Sequence, residues 1–283
     1  MIFELKEDYK INFLCSFLKV SESGYYKWLK NKDNINKKEM EIVSNLKTLQ
    51  IKHKYRMGSE RMTYEYERTY NKKYNHKRIA RLMKKYGLQS VVRPKNRRYG
   101  ISKSVFTRNK LGRNFSASSP YDKLATDISE FKRSGKKVYL SIIKDLYTHV
   151  IEALEISYSP SLKLVIDTIN QVKDKAIEYG TFFHSDQGFQ YTNPIVQKIL
   201  KDNNFLQSMS RKGTPIDNAP TESFFSTLKS ELIYNKTINI PNDKALIQEI
   251  IDYIYYYNNE RIQKSLGYLT PMEFKKKYEE KKR

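Results

Sequence analysis

The sequence predicts an α/β domain with a mixed sheet, preceded by a strongly basic all-α region. Three observations lead there. First, the 283 residues carry a net charge of +22, and the excess is uneven. Residues 1–120 hold 29 basic against 10 acidic side chains, whereas residues 121–283 hold 24 against 21. Second, apolar residues up to about 90 recur at helical spacing. Third, the texture turns to strand from 121 and then to alternating helix and strand.

The elements follow in order. Residues 1–55 read as an N-terminal helical region. "ESGYYKWLKN" is a short aromatic-rich piece, and "NKKEMEIVSNLKTLQIKHK" carries Met40, Val43, Leu46 and Leu49 at helical spacing. Residues 56–115 form a helix-turn-helix-like region and a basic linker. Ser59 is expected to cap one helix, and Asn75 a second. In that second helix Ile79, Leu82 and Met83 face inward and Gly87 is the stop. The same periodicity fits any helical hairpin, so DNA binding by the pair stays open on this evidence. Residues 84–113 hold ten Lys or Arg and no acid. Arg93, Lys95, Arg97 and Arg98 flank Pro94, which argues against helix there. Either a solvated linker or a basic arm along a phosphate backbone fits, and the interleaved Tyr99 and Phe106 favour the arm.

Residues 116–240 make up the α/β core. "KLATDISEF" and "KKVYLSIIKDLYTHVIEAL" are β-rich, with Gly135 and Lys136 turning between them. "SLKLVIDTINQVKDKAIEYG" is a helix capped by Ser161 or Ser159 and stopped by Gly180. "TFFHSD" is a short buried strand, "NPIVQKILKDNNF" a helix with proline at its start, and "LQSMS" a further strand. "TESFFSTLKSELI" is a helix with Phe224, Phe225, Leu228 and Leu232 on its apolar side. Residues 241–283 form a C-terminal helical extension.

The bulk numbers exclude several classes. With 39% hydrophobic and 30% charged residues the chain is globular and not disordered. No run approaches the ~18 apolar residues of a membrane span, and the N-terminus lacks a signal-peptide pattern. A lone cysteine, Cys15, excludes an intramolecular disulfide and a cysteine-rich zinc site, and a reducing cytoplasm is the simplest home. A polyanion partner relieves such a charge excess; nucleic acid leads, with a membrane surface or ribosome as alternatives.

Three acids occupy the ends or centres of elements. Asp127 sits mid-strand between Ala125 and Ile128, Asp186 follows the strand "TFFH", and Glu222 lies in the first turn of a helix. A lone acid in a strand is disfavoured, and a buried carboxylate needs a partner or a metal. Three carboxylates on adjoining elements suit two magnesium-class ions, which in phosphodiester chemistry serve the attacking and the leaving oxygen. Taken singly, each acid has a bland reading: an edge residue facing water, a cap on the turn at Gly188, a charge favoured by a helix dipole.

The motifs "TDIS", "HSDQGFQYTN" and "SMSRKGTPIDNAPTESFFSTLKSEL" resemble those of retroviral-integrase-like DDE transposases. Asp186 and Glu222 have 35 residues between them, the spacing of that superfamily. "YIYYYNNERIQKSLGYLTPMEF", "SESGYYKWLK" and "KRIARLMKKYGL" extend the likeness over nearly the whole chain, to the second-reading-frame product of the insertion-sequence three family. The resemblance implies an RNase H-like core with Asp127, Asp186 and Glu222 as catalytic and metal-binding residues, and two Mg2+ or Mn2+ ions. It implies metal-dependent cleavage of element-end phosphodiesters and strand transfer by transesterification. It also implies double-stranded DNA ends and target as substrates, and a homo-oligomeric synaptic complex. An upstream-frame helix-turn-helix protein, separate or fused, and a bacterial, nucleoid-associated cytoplasmic setting come with it. One departure is local: Leu124 and Ala125 stand where members often carry a Trp.

Other residues are read with both meanings open. His184 supports the site or packs. Lys229, seven residues past Glu222, reaches the DNA backbone or is a solvated lysine. Arg211 and Lys212 precede the Glu222 helix and are candidate DNA contacts. Asn218 organises the turn, Asp217 is a turn residue and not a ligand, and Glu231 is structural. Arg261 and Gln263 contact DNA or a partner subunit. Tyr253–Tyr257 is core and interface. Two rivals remain at this level: a nuclease on the same fold, and a non-catalytic DNA-binding regulator of transposition.

Overall fold

The computed structural model describes residues 1–91, 115–133, 135–177, 180–210 and 218–282, without the side chains of 32–36. These residues form two compact units, Met1–Ser90 and Val91–Arg283. Among the described residues no helix is long and apolar enough to cross a membrane.

The first unit is all helix: α1 (Ile2–Leu5), α2 (Ile11–Phe17), α3 (Glu22–Lys52), α4 (Ser59–Tyr70) and α5 (His76–Lys85). α3 is one continuous helix where the sequence suggested two pieces. Ser21 starts it, its hydroxyl accepting the Gly24 N–H at 3.1 Å. Leu46, Leu49, Met57, Met62, Tyr66, Ile79 and Leu82 are fully buried and form the shared interior. The buried Gln50 amide ties the ends of the unit together, donating to the carbonyls of Met57 (2.9 Å) and Leu88 (2.6 Å). Asn75 caps α5 as its position suggests, accepting from Lys77 N–H. Ser59 does not cap α4. Gly58 holds that position, and the Ser59 hydroxyl bonds His76 Nε2 at 3.0 Å.

The second unit is built on a five-stranded mixed sheet of order β3-β2-β1-β4-β5. The strands are β1 (Lys123–Arg133), β2 (Lys136–Asp145), β3 (Ile151–Ser157), β4 (Thr181–Ser185) and β5 (Phe205–Met209). β1–β2–β3 form an antiparallel meander, with Gly135 at φ +78° in the hairpin. β4 and β5 add on the other side in parallel, each reached through helix. α6 (Leu162–Asn170), α7 (Phe189–Thr192) and α8 (Pro194–Asp202) cover one face. Their Val165, Ile169, Tyr191, Val196 and Leu200 pack on Leu124, Ile143 and Phe183. α9 (Ala219–Leu228) and α10 (Asp243–Asn259) cover the other. There Phe224, Phe225, Leu228, Ile250 and Tyr253 pack on Phe131, Val138, Leu140 and Ile142. α11 (Pro271–Lys282) follows, and its Lys275 ammonium reaches Tyr121 Oη (2.9 Å) and Glu152 Oε1 (2.8 Å) beside the sheet.

α6 stops at Asn170, ten residues before the glycine expected to end it. The next side chain, Gln171, turns to the edge strand β3 instead. Its amide takes up both backbone groups of Leu154, accepting from the N–H and donating to the carbonyl. An edge strand otherwise leaves such groups without a partner. Gly180, at φ +88°, leads into β4.

Candidate active site

Strand alternation decides where the first acid points. Thr126 bonds Tyr191 on the α7 side, and Ile128 packs there, while Phe131 packs toward α9. Asp127 shares the phase of Phe131, so it faces the side on which α9 carries Glu222. β4 then supplies the second acid. It pairs in parallel with β1 in the register Ala125↔His184. Two residues further along each strand stand Asp127 and Asp186, on neighbouring strands that lie about 4.8 Å apart. Both line one cleft of about 250 Å³, with Tyr191 and Gln190 of α7 also in its wall.

The electrostatics follow from that proximity. Asp127 is half-buried, and its Oδ1 accepts the Ile128 N–H at 2.8 Å. Burial, then the Asp186 charge and more weakly Glu222, push its carboxyl up to about 7, against the Ile128 N–H and Lys229, which lower it. Asp186 is exposed, and its Oδ1 accepts the Gly188 N–H at 2.9 Å. The turn-capping role is therefore real, and it holds one oxygen of the carboxylate in place.

Gly188 is needed for that placement. A Cβ there would stand 3.0 Å from Asp186 Oδ1 and 3.0 Å from Gln190 Oε1. We expect Gly188→Ala to keep the fold and displace the Asp186 carboxylate. A misplacement approaching 1 Å lowers turnover by up to about 10²-fold. Turnover, measured beside an unchanged melting temperature, checks this.

Glu222 is exposed in the first turn of α9. Asn218 starts that helix and pins it to β1, its Nδ2 donating to the Thr126 carbonyl at 3.3 Å, one residue before Asp127. Lys144 reaches the Pro220 carbonyl at 3.4 Å, and Phe224, Phe225 and Leu228 anchor the other side of the helix. The structure thus brings Asp127 and Asp186 into one cleft, and Glu222 acts on Asp127 as a charge. Among the described residues no three His, Cys, Asp or Glu side chains are close enough together to hold one metal ion.

The donor set nevertheless fits a hard divalent cation. Its groups are carboxylate oxygens, two of them on adjacent strands, and one is raised toward neutrality by burial and by its charged neighbours. No thiol competes, since Cys15 lies buried in the other unit. His184 is fully buried, and its Nδ1 meets Ser208 Oγ at 3.0 Å across the β4–β5 pair.

The raised Asp127 carboxyl also bears on stability. The folded state holds its proton up to about pH 7, while an unfolded aspartate releases it near 3.8. The folded state therefore binds more protons between those values, and stability falls as pH rises across that window. With chelator present, Asp127→Asn should be more stable than the parent at pH 8, by about 1–3 kcal/mol after allowance for partial exposure. The gap should narrow toward pH 4, and denaturant melts at both pH values measure it.

The remaining expected residues separate into three groups. Lys229 is close enough to lower the Asp127 pKa, and its ammonium sits 5.3 Å from the Phe131 ring. Arg261, expected at DNA or a partner subunit, is instead taken up inside the protein. Its Nε and Nη2 bond the Glu231 carboxylate at 2.9–3.2 Å, Tyr253 Oη donates to the same group, and Glu231 is buried while the Arg261 side chain is 15% exposed. Burial opposes the Arg261 charge, yet Glu231 beside it holds the guanidinium pKa above its ordinary value. The reason is local. After Leu228 the chain widens into a π turn, Lys229–Ile233, which turns Glu231 inward. Gln263, read with Arg261, bonds His149 and is also buried. Arg93, Lys95, Arg97, Arg98, Arg211 and Lys212, together with Asp217, lie outside the described residues.

Tyr191 was not singled out by sequence. It is fully buried beside the two acids, its hydroxyl 3.0 Å from Thr126 Oγ1, and burial drives the phenol well above its ordinary pKa. It links α7, just after Asp186, to the residue before Asp127. The available signal was a tyrosine five places past Asp186 in a short polar stretch, "DQGFQY".

The integrase core domain family matches residues 117–215, a second integrase core domain family matches 222–278, and an HTH-like domain family matches 36–96. The putative transposase InsK for insertion sequence element IS150, from Escherichia coli (strain K12), is 34% identical over 274 residues, 96% of this chain and 95% of that protein. An uncharacterized transposase-like protein of Haemophilus influenzae is 38% identical over 76% of this chain and 98% of its own length. Among solved structures, the HTLV-2 integrase catalytic core domain in complex with magnesium gives a TM-score of 0.42 at 13% identity, over 56% of this chain and 98% of that one.

Proposed function

We infer the reaction from one premise: the chain belongs to the IS3-type insertion-sequence transposases, whose catalytic part is an integrase-type RNase H-like core. It is a DNA transposase catalytic subunit, a polynucleotidyl transferase with an HTH-like domain. We further propose that Asp127, Asp186 and Glu222 are its catalytic acids, and that they would hold two divalent ions, magnesium or manganese. The observation that supports this most is the Ala125↔His184 register, which sets Asp127 beside Asp186 in one cleft.

Bound ions of that kind supply Lewis acidity to both the attacking and the departing oxygen of an in-line phosphoryl displacement. The protein supplies position and charge. Asp127, mid-strand in β1, and Asp186, just past the end of β4, lie on adjacent strands, each with one oxygen held by a backbone N–H. Lys229 brings a cation to the same side, suited to a phosphate oxygen. Asn218 holds the start of α9, and with it Glu222, against β1. At the element end a water oxygen joins phosphorus, the P–O3′ bond breaks, and a proton passes to the departing oxygen. The freed 3′-hydroxyl then attacks a target phosphodiester. One P–O3′ bond forms as another breaks, so no external energy source is needed. The chain works as a homo-oligomer on paired ends, together with the upstream-frame helix-turn-helix protein or fused to it. The basic residues Arg93, Lys95, Arg97, Arg98, Arg211 and Lys212 carry DNA contacts.

Labelled element-end DNA, incubated with the protein and magnesium or with chelator, tests the reading. Metal-dependent release of a 3′-hydroxyl, followed by joined strands, is the expected result. Cleavage that never yields joined product, alone or with the upstream-frame protein, would make the chain a nuclease.

A further inference from the structure

We propose that the cleft continues past the acid pair into a subsite for one nucleobase, that of the nucleotide flanking the scissile phosphate; this rests on the catalytic reading above. Asp127 and Asp186 stand in one part of the cleft. Three residues further along β1, about 10 Å at strand rise and on the α7 side of the strand, Glu130 lines it too, and Tyr139 of β2 stands directly opposite Glu130. That spacing suits a nucleotide whose phosphate sits at the acids and whose base turns round the edge of β1, beyond the last β1–β4 pair, to reach Tyr139.

The chemistry of the far part fits a base and not a second phosphate. Its walls include the Tyr139 ring, Ile128 and Pro160, which are flat or apolar. Glu130 makes it acidic, and the nearby cation is already committed, since Lys137 Nζ bonds Glu130 Oε2 at 3.1 Å. A phosphate there would have to compete with the Glu130 carboxylate for Lys137. A neutral base offers a π face to the tyrosine and amino donors to the acceptors around it. Two such acceptors are fixed by hydrogen bonds. Gln190 is buried and spends its Nε2 on the Pro160 carbonyl at 2.8 Å, which leaves its Oε1 as an acceptor. Glu130 spends Oε2 on Tyr139 Oη (2.9 Å) and on Lys137, which leaves Oε1. The Tyr139–Glu130 bond also sets the ring orientation before any ligand arrives. A base must leave its stack to enter, which is easiest where the duplex ends.

The test uses the full chain and an element-end duplex with 2-aminopurine at the nucleotide flanking the cleaved phosphate, bound in chelator so that no chemistry intervenes. Stacking on Tyr139 should quench the probe. Tyr139→Phe keeps the ring and should quench as the parent does. Tyr139→Leu, shown folded by its melting temperature, should leave the probe bright and bind the duplex about tenfold more weakly. An abasic site at that nucleotide should weaken binding to the parent by a similar factor and to Tyr139→Leu by little more. Equal fluorescence in all three proteins, or additive losses from the abasic site and Tyr139→Leu, would overturn the subsite while metal-dependent cleavage by the parent left the catalytic reading standing. Absence of any end-DNA binding or cleavage would overturn both.

Discussion

Asp186→Asn should abolish both cleavage and joining, by about 10³-fold or more, and leave DNA affinity unchanged or slightly higher. The expectation follows from what the substitution keeps. An asparagine has nearly the same volume, and its amide oxygen can still accept the Gly188 N–H that Asp186 Oδ1 holds at 2.9 Å. The turn into α7 is therefore preserved. The charge is lost, and with it, on the proposed reading, a hard-cation ligand beside Asp127. Several kcal/mol of transition-state stabilisation disappear, and each 1.4 kcal/mol is about tenfold in rate. The Asp127 carboxyl, no longer facing a second charge, should titrate lower than its present value near 7. Binding should survive because the basic surplus lies in residues 1–120, away from this acid in the chain. Gel-shift and single-turnover assays on the same preparation separate the two quantities. Loss of binding together with activity would show that the two halves do not divide the work in this way.

The second large effect is on stability. Arg261→Ala should destabilise the second unit by about 3–5 kcal/mol, because it leaves the buried Glu231 carboxylate without its counter-charge. For a unit of this size that corresponds to a melting temperature lower by about 10 °C. Arg261→Lys should recover little, since an ammonium cannot reproduce the two-nitrogen contact with both Glu231 oxygens. The paired variant Arg261→Met with Glu231→Leu should recover much of the loss, since it leaves neither charge orphaned. A role at the DNA backbone predicts the opposite pattern: weaker, less salt-dependent binding at an unchanged melting temperature. Thermal melts of the three variants decide between these outcomes.

Arg261 also illustrates where sequence stops being informative. In "NNERIQKSLGY" it looks like any exposed arginine in a polar stretch, and nothing local announces Glu231, thirty residues earlier. The pairing depends on a π turn that re-aims Glu231, and a 3.6-residue periodicity does not foresee it. Asp127 was legible for the converse reason. An acid between Ala125 and Ile128 breaks the strand pattern by itself, and the strand appears where expected, as Lys123–Arg133. The Asn75 cap was legible because its partner, Lys77 N–H, is two residues away. The unity of α3 was hidden by its Asn-rich middle, "NKDNINKK", where asparagine is a poor helix former and no apolar period runs through. The early end of α6 was hidden because Gln171 answers to β3, seventeen residues back along the chain. For Arg261 and for the end of α6 the deciding contact lies beyond a turn or two of local sequence. The cleft lining of Tyr139, Pro160 and Gln190 is of the same kind, since it exists only once three separate segments meet.

On the proposed reading, Asp127 and Asp186 together bind a divalent cation in this cleft. Manganese binding to the whole chain, followed by loss of the free-ion electron paramagnetic resonance signal, tests it without any DNA. The parent should bind the ion, and Asp127→Asn and Asp186→Asn should each lose most of that binding while still melting cooperatively. Undiminished manganese binding in both variants would contradict the account.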